Sequence, residues 1–152
     1  MRIAVFIKRT TFHSGYGGME TQNKLLCEGL VSQGYDITVF SPQRDYTNNL
    51  AEKNGVKYMF VPSVYRTLLS KKYKNSWLNK SVEAFKTEHE KNPFDLILSQ
   101  SSAGIGVLQR KAEFNIKGIS ISHGSIISEL QTRQKNASTL KSKVRLVRGA
   151  LF

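Results

Sequence analysis

A chain of 152 residues is long enough to bury the core of one domain, and its 39% hydrophobic and 10% aromatic content are globular values. No apolar run approaches the ~20 residues that cross a bilayer, which excludes a transmembrane helix, and the single Cys27 excludes an internal disulfide. The formal net charge of +12 favours polyanionic partners such as nucleic acid, anionic headgroups or phosphate-bearing substrates.

The opening "RIAVFI" (2–7) predicts a buried strand; Lys8 and Arg9 cut it off before any cleavage site, so it does not read as a signal peptide. Cytoplasmic localisation is expected. A glycine-rich loop, "HSGYGG", follows. Met19, Leu26, Cys27, Leu30 and Val31 then recur at helical spacing, and Gly34 stands where that helix would end. Cys27 on the apolar stripe reads as a packed thiol rather than a nucleophile.

Further strands are predicted at "DITVFS" (36–41), "VKYMFV" (56–61), "DLILSQ" (95–100) and "GISISH" (118–123). Residues 63–92 read as a basic helical region ending before Asn92-Pro93, and 103–112 as a short helix. "SKVRLVRGALF" opens a last helix. Strands alternating with helices predict an α/β fold with a Rossmann-like parallel sheet sandwiched by helices.

The loop before the first helix places backbone N–H groups and a helix dipole at the carboxyl edge of the sheet, where a phosphate can bind. Two phosphate motifs fail. Glu20 stands where the third glycine of G-x-G-x-x-G belongs, and no Gly-Lys-Ser/Thr loop occurs, which disfavours a nicotinamide dehydrogenase and a phosphate-loop ATPase.

The stretch "GYGGMETQNKLLCEGLVSQGYDITVFSP", with "PFDLILSQS" and "ISISHGS" downstream, resembles the N-terminal domain of retaining glycosyltransferases of family 4, of the GT-B group. The resemblance implies transfer of a sugar from a nucleotide-diphosphate-sugar donor to a glycan or lipid-linked acceptor with retention, as in polysaccharide or lipopolysaccharide biosynthesis. It implies Gly17 and Gly18 against the donor diphosphate and His123 at the catalytic centre. Glu20, Gln100, Ser101 and Gly124 fall on the acceptor side. Gln100 stands where relatives often carry histidine. No cofactor or metal is expected, and no His/Cys/Asp/Glu set has metal-ligand spacing.

Bland readings stand beside several of these. Gly17 and Gly18 could serve only the turn, Glu20 could cap the first helix, and Ser101 and Ser102 could cap the next. His13 reads as a loop residue and His89 as a solvated helix residue. Arg66, Lys71, Lys72, Lys74 and Trp77 mix cations with rings, as in a peripheral site on an anionic membrane, or form a solvated face over a core stripe. Nucleic acid is disfavoured because none of its binding signatures occurs.

The resemblance further implies a second, C-terminal domain that binds most of the nucleotide sugar. None of its motifs is in this sequence. The expectation is therefore one acceptor-side Rossmann-like domain over 1–152, incomplete at its C-terminus and inactive alone. The alternative is a non-catalytic basic module that binds an anionic membrane or another polyanion.

Overall fold

Alternation in Ile3-Ala4-Val5-Phe6-Ile7 sends successive side chains to opposite faces, and all five are buried, as a strand covered on both sides requires. This is β1 (Arg2–Phe6), followed by α1 (Gly18–Ser32), β2 (Asp36–Pro42), β3 (Leu50–Lys53), β4 (Val56–Val61), α2 (Trp77–Lys91), β5 (Leu96–Gln100), α3 (Ile105–Leu108) and β6 (Lys117–Ile121). The computed structural model describes residues 1–44, 48–63 and 76–123. The chain forms two compact units, Met1–Ile121 and Ser122–Phe152, and of the second only Ser122 and His123 are described.

The strand order is β3-β4-β2-β1-β5-β6. All neighbours are parallel except the β3–β4 pair. The five expected strands are present, and β3 is an addition. It forms a hairpin with β4 through Asn54 and Gly55, whose φ values of 52° and 75° belong to a two-residue turn with both central residues left-handed.

The two faces of the sheet carry separate cores. Ala4, Phe6, Phe40 and Ile97 pack with Val82 and Phe85 of α2 and Val107 of α3. Ile3, Val5, Ile37 and Val39 pack on the other face with Cys27 of α1. Burial raises the Cys27 thiol to about 12, with Glu28 adding to the effect, so it stays protonated as a packed thiol.

The amino edge of the sheet is tied down. The Arg2 N–H donates to Asp95 Oδ2 at 2.5 Å, and its guanidinium stacks over Phe94 at 3.9 Å while donating to the Asn92 carbonyl. The carboxyl edge is left to loops. Among the described residues no helix is long and apolar enough to cross a membrane.

Candidate functional site

The strand order reverses at β1: β2 and β4 lie to one side of it, β5 and β6 to the other. In open α/β sheets ligands bind outside the carboxyl ends of the two strands at such a switch point. Here those ends are β1 and β5, and the loops leaving them carry Lys8 to Gly17 and Ser101 to Gly104.

The first loop is held by Arg9. Its Nη2 donates to the Ser14 carbonyl at 2.6 Å and the Gly15 carbonyl at 2.5 Å, and its Nε lies 3.9 Å from Glu20 Oε1. Glu20 is buried, and its Oε2 accepts from the Gly17 N–H at 2.8 Å. This is half of a capping box, because Gly17 has no side chain to return the bond. Glu20 therefore fixes the entry to α1, as the capping alternative foresaw.

The N–H groups of Gly18, Met19 and Glu20 consequently have no acceptor among the described residues. Gly17 and Gly18 are both exposed. A Cβ at Gly18 would meet nothing within 4 Å, and one at Gly17 would make only an ordinary 3.6 Å contact with Glu20. Neither has positive φ, whereas Gly15 does, at 63°. The fold requires glycine at 15 and leaves 17 and 18 open toward solvent at the positive end of a helix dipole.

Gln100, at the end of β5, is buried and its Nε2 donates to Asn23 Oδ1 of α1 at 2.8 Å. This bond ties the helix to the switch strand. Ser101 follows at φ 52°, a conformation that costs a non-glycine residue about 1 kcal/mol or more. Its N–H donates to the Ile121 carbonyl at 2.8 Å, and its own carbonyl accepts from Ser99 Oγ at 2.8 Å and Ser120 Oγ at 3.2 Å. The bend is thus over-determined. Ser101 and Ser102 are exposed and cap no helix: α3 begins after Gly104, whose N–H is satisfied by Ser99 Oγ at 2.8 Å.

His13 is part of the loop's foundation. It is buried, its Nδ1 accepts from the Thr10 N–H at 2.8 Å, and its ring stands edge-on to Phe60 at 5.6 Å. Burial lowers its pKa below 6.5 and the Arg44 and Arg9 charges lower it further, against a partial opposing influence of the Pro42 and Thr10 backbone. As the pH falls through 6.5 the unfolded chain takes up this proton and the folded one does not, so folding loses stability until the depressed pKa is reached. Thermal melts at about pH 7.5 and about pH 5.5 should show a larger drop for the wild type than for His13→Asn, which keeps an acceptor for Thr10 without the titration. Equal drops in both proteins would refute the assignment.

The sequence profile of glycosyltransferase family 4 matches residues 16–149. This chain belongs to glycosyltransferase family 4. No curated protein sequence matches it. Among solved structures it is similar to sucrose-phosphate synthase from Thermosynechococcus elongatus, with a TM-score of 0.70 at 19% identity over 97% of this chain and 39% of that one. A shorter chain of the same synthase gives a TM-score of 0.59 at 19% identity over 88% of this chain and 69% of that one. The family 4 domain thus has the α/β, GT-B type of fold that the resemblance implied, and it spans about two-fifths of the longer synthase chain.

The remaining expected residues of the family 4 domain fall elsewhere. His123 is exposed, two residues beyond the end of β6, and Gly124 lies outside the described residues. So do Arg66, Lys71, Lys72 and Lys74. Trp77 is described, but its Nε1 donates to the Ala103 carbonyl at 2.7 Å and its ring packs on the core, so it is committed to the fold rather than extended as a surface anchor. His89 is not simply solvated: its Nδ1 accepts from the Phe94 N–H at 3.1 Å and its ring stacks on Phe85 at 5.1 Å. Among the described residues no three His, Cys, Asp or Glu side chains are grouped to hold a metal ion.

Proposed function

We propose that this chain is the acceptor-side half of a retaining glycosyltransferase that uses a nucleotide-diphosphate sugar. The observation that carries the proposal is the start of α1. Three N–H groups without an acceptor among the described residues, behind two glycines that neither packing nor φ demands, suit the close approach of a diphosphate.

As the glycosidic bond to the donor breaks, the sugar acquires oxocarbenium character and negative charge grows on the departing diphosphate. Fixed N–H groups and the helix dipole stabilise that charge without reorganising. Glu20 and Arg9 hold the loop that presents them, and Gln100 with Asn23 fixes α1 against β5. On this reading Glu20 and Gln100 support the site from beneath, while the exposed Ser101 and Ser102 hydroxyls meet the acceptor. His123, for which the resemblance implies a role at the catalytic centre, would orient the reacting sugar, and Gly124 would contact the acceptor.

The domain would then need a second one to hold the nucleotide and would transfer no sugar alone. The net charge of +12, with Arg66, Lys71, Lys72 and Lys74 crowded together in sequence, supports peripheral contact with an anionic membrane and a glycan or lipid-linked acceptor there. The test is to incubate the full-length protein with an α-linked nucleotide-diphosphate hexose and read the product's anomeric configuration by NMR. An α-linked product is expected; a β-linked product would refute retention.

A further inference from the structure

Lys8 is the first exposed residue after the buried β1, and it crosses the switch-point crevice: its Nζ lies 3.1 Å from Ser102 Oγ, beyond the carboxyl end of β5. That hydroxyl is its one hydrogen-bond partner among the described residues, and no carboxylate there pairs with it. The neighbouring cation, Arg9, is by contrast occupied by Glu20 and two loop carbonyls. An ammonium has three N–H donors, so Lys8 keeps donors for a ligand. Beside it Ser101 is locked in its left-handed bend by three hydrogen bonds to its backbone, while its hydroxyl makes none among the described residues. One ammonium and two serine hydroxyls thus stand beyond the carboxyl ends of β1 and β5, and no carboxylate among the described residues pairs with the charge.

We propose that Lys8, with the Ser101 and Ser102 hydroxyls, selects an acceptor sugar that carries an anionic group, a phosphate or a carboxylate. The inference rests on reading this edge as the acceptor side. A neutral acceptor would leave the ammonium without a counter-charge in the crevice, whereas an anionic group gains a charge-assisted hydrogen bond that screening by solvent weakens only in part.

The experiment titrates this chain with glucose 6-phosphate, glucuronate and methyl glucoside, following the backbone amides of Lys8 and Gln100 to Ser102 by NMR. The two anionic sugars are expected to bind at least about tenfold more tightly than methyl glucoside, and Lys8→Gln to remove that advantage while Lys8→Arg retains it. Which anionic sugar binds better separates a phosphate from a carboxylate acceptor. Equal binding of neutral and anionic sugars at these amides would overturn the role of Lys8 and leave the acceptor reading standing. An anion preference that survives Lys8→Gln would overturn it too. No binding of any of the three would overturn both readings. Lys8 is exposed, so an unchanged melting temperature is expected and shows that the variant is folded.

Discussion

Phe85→Ala is expected to lower the stability of the described α/β unit by about 3–5 kcal/mol. Phe85 is fully buried on the inner face of α2, and its ring centroid lies 5.0 Å from Phe114, 5.4 Å from Phe94, 6.0 Å from Phe6 and 6.3 Å from Phe40. Truncation forfeits the transfer free energy of the ring and leaves a cavity walled by four aromatic side chains that sit on β1, β2 and the segments flanking α2 and β6. Those walls are themselves held by the sheet, so they cannot collapse inward. The contacts with Phe6, Phe40 and Phe114 are tilted or edge-on and that with Phe94 is stacked, and such pairs add about 0.5–1.5 kcal/mol each beyond area. Urea unfolding should show a lower midpoint with an unchanged slope. A loss under about 1 kcal/mol would mean that α2 does not pack on the sheet as described.

Gly106→Ala is expected to cost about 2 kcal/mol even though alanine is the better helix former. A Cβ there would lie 2.5 Å from the Leu78 carbonyl oxygen and 3.2 Å from Val82 Cγ2. The carbonyl belongs to the first turn of α2 and also accepts from Ser81 Oγ at 3.2 Å, so it cannot swing aside as a side-chain tip would. Gly118 is the control: its nearest obstacle, at 2.3 Å, is the flexible end of Leu108, and Gly118→Ala should cost less. Thermal melts of the two variants decide the matter, and Gly118→Ala proving the more damaging would contradict this packing. In Gly106→Ala α3 must move away from α2, and the bend at Ser101 that precedes it should be disturbed as well.

The central strands were legible because residues buried on both faces must be apolar at nearly every position, as "RIAVFI" and "DITVFS" are. β3 was not, because an exposed edge strand reading Leu50-Ala51-Glu52-Lys53 has no hydrophobic pattern to detect. Its signal lay in the turn instead: Asn54-Gly55 ahead of an apolar run is a strong hairpin marker. His89 looked solvated because its neighbours in sequence are charged, and only the return of the chain at Phe94 gives its ring a partner. The membrane reading of Trp77 overlooked Ala103, 26 residues on, whose carbonyl takes the indole N–H.

At the site, sequence named the glycines but not what holds them. The reach of Arg9 across the loop to the Ser14 and Gly15 carbonyls and the Gln100–Asn23 bond depend on side-chain geometry and, in the second case, on residues far apart in the chain. Lys8 was read only as the end of a strand. Its reach to Ser102, 94 residues away, follows from the parallel pairing of β1 with β5.

The central claim, that the start of α1 receives the donor diphosphate, is tested most directly by running the same transfer reaction with Gly18→Asp in the full-length protein. A Cβ at Gly18 meets nothing in the fold, and a carboxylate in the first turn complements the helix dipole, so the melting temperature should hold or rise slightly. The account predicts that kcat/KM for the donor falls about 100-fold, since a fixed negative charge would occupy the place where charge develops. An unchanged kcat/KM with a folded protein would contradict it.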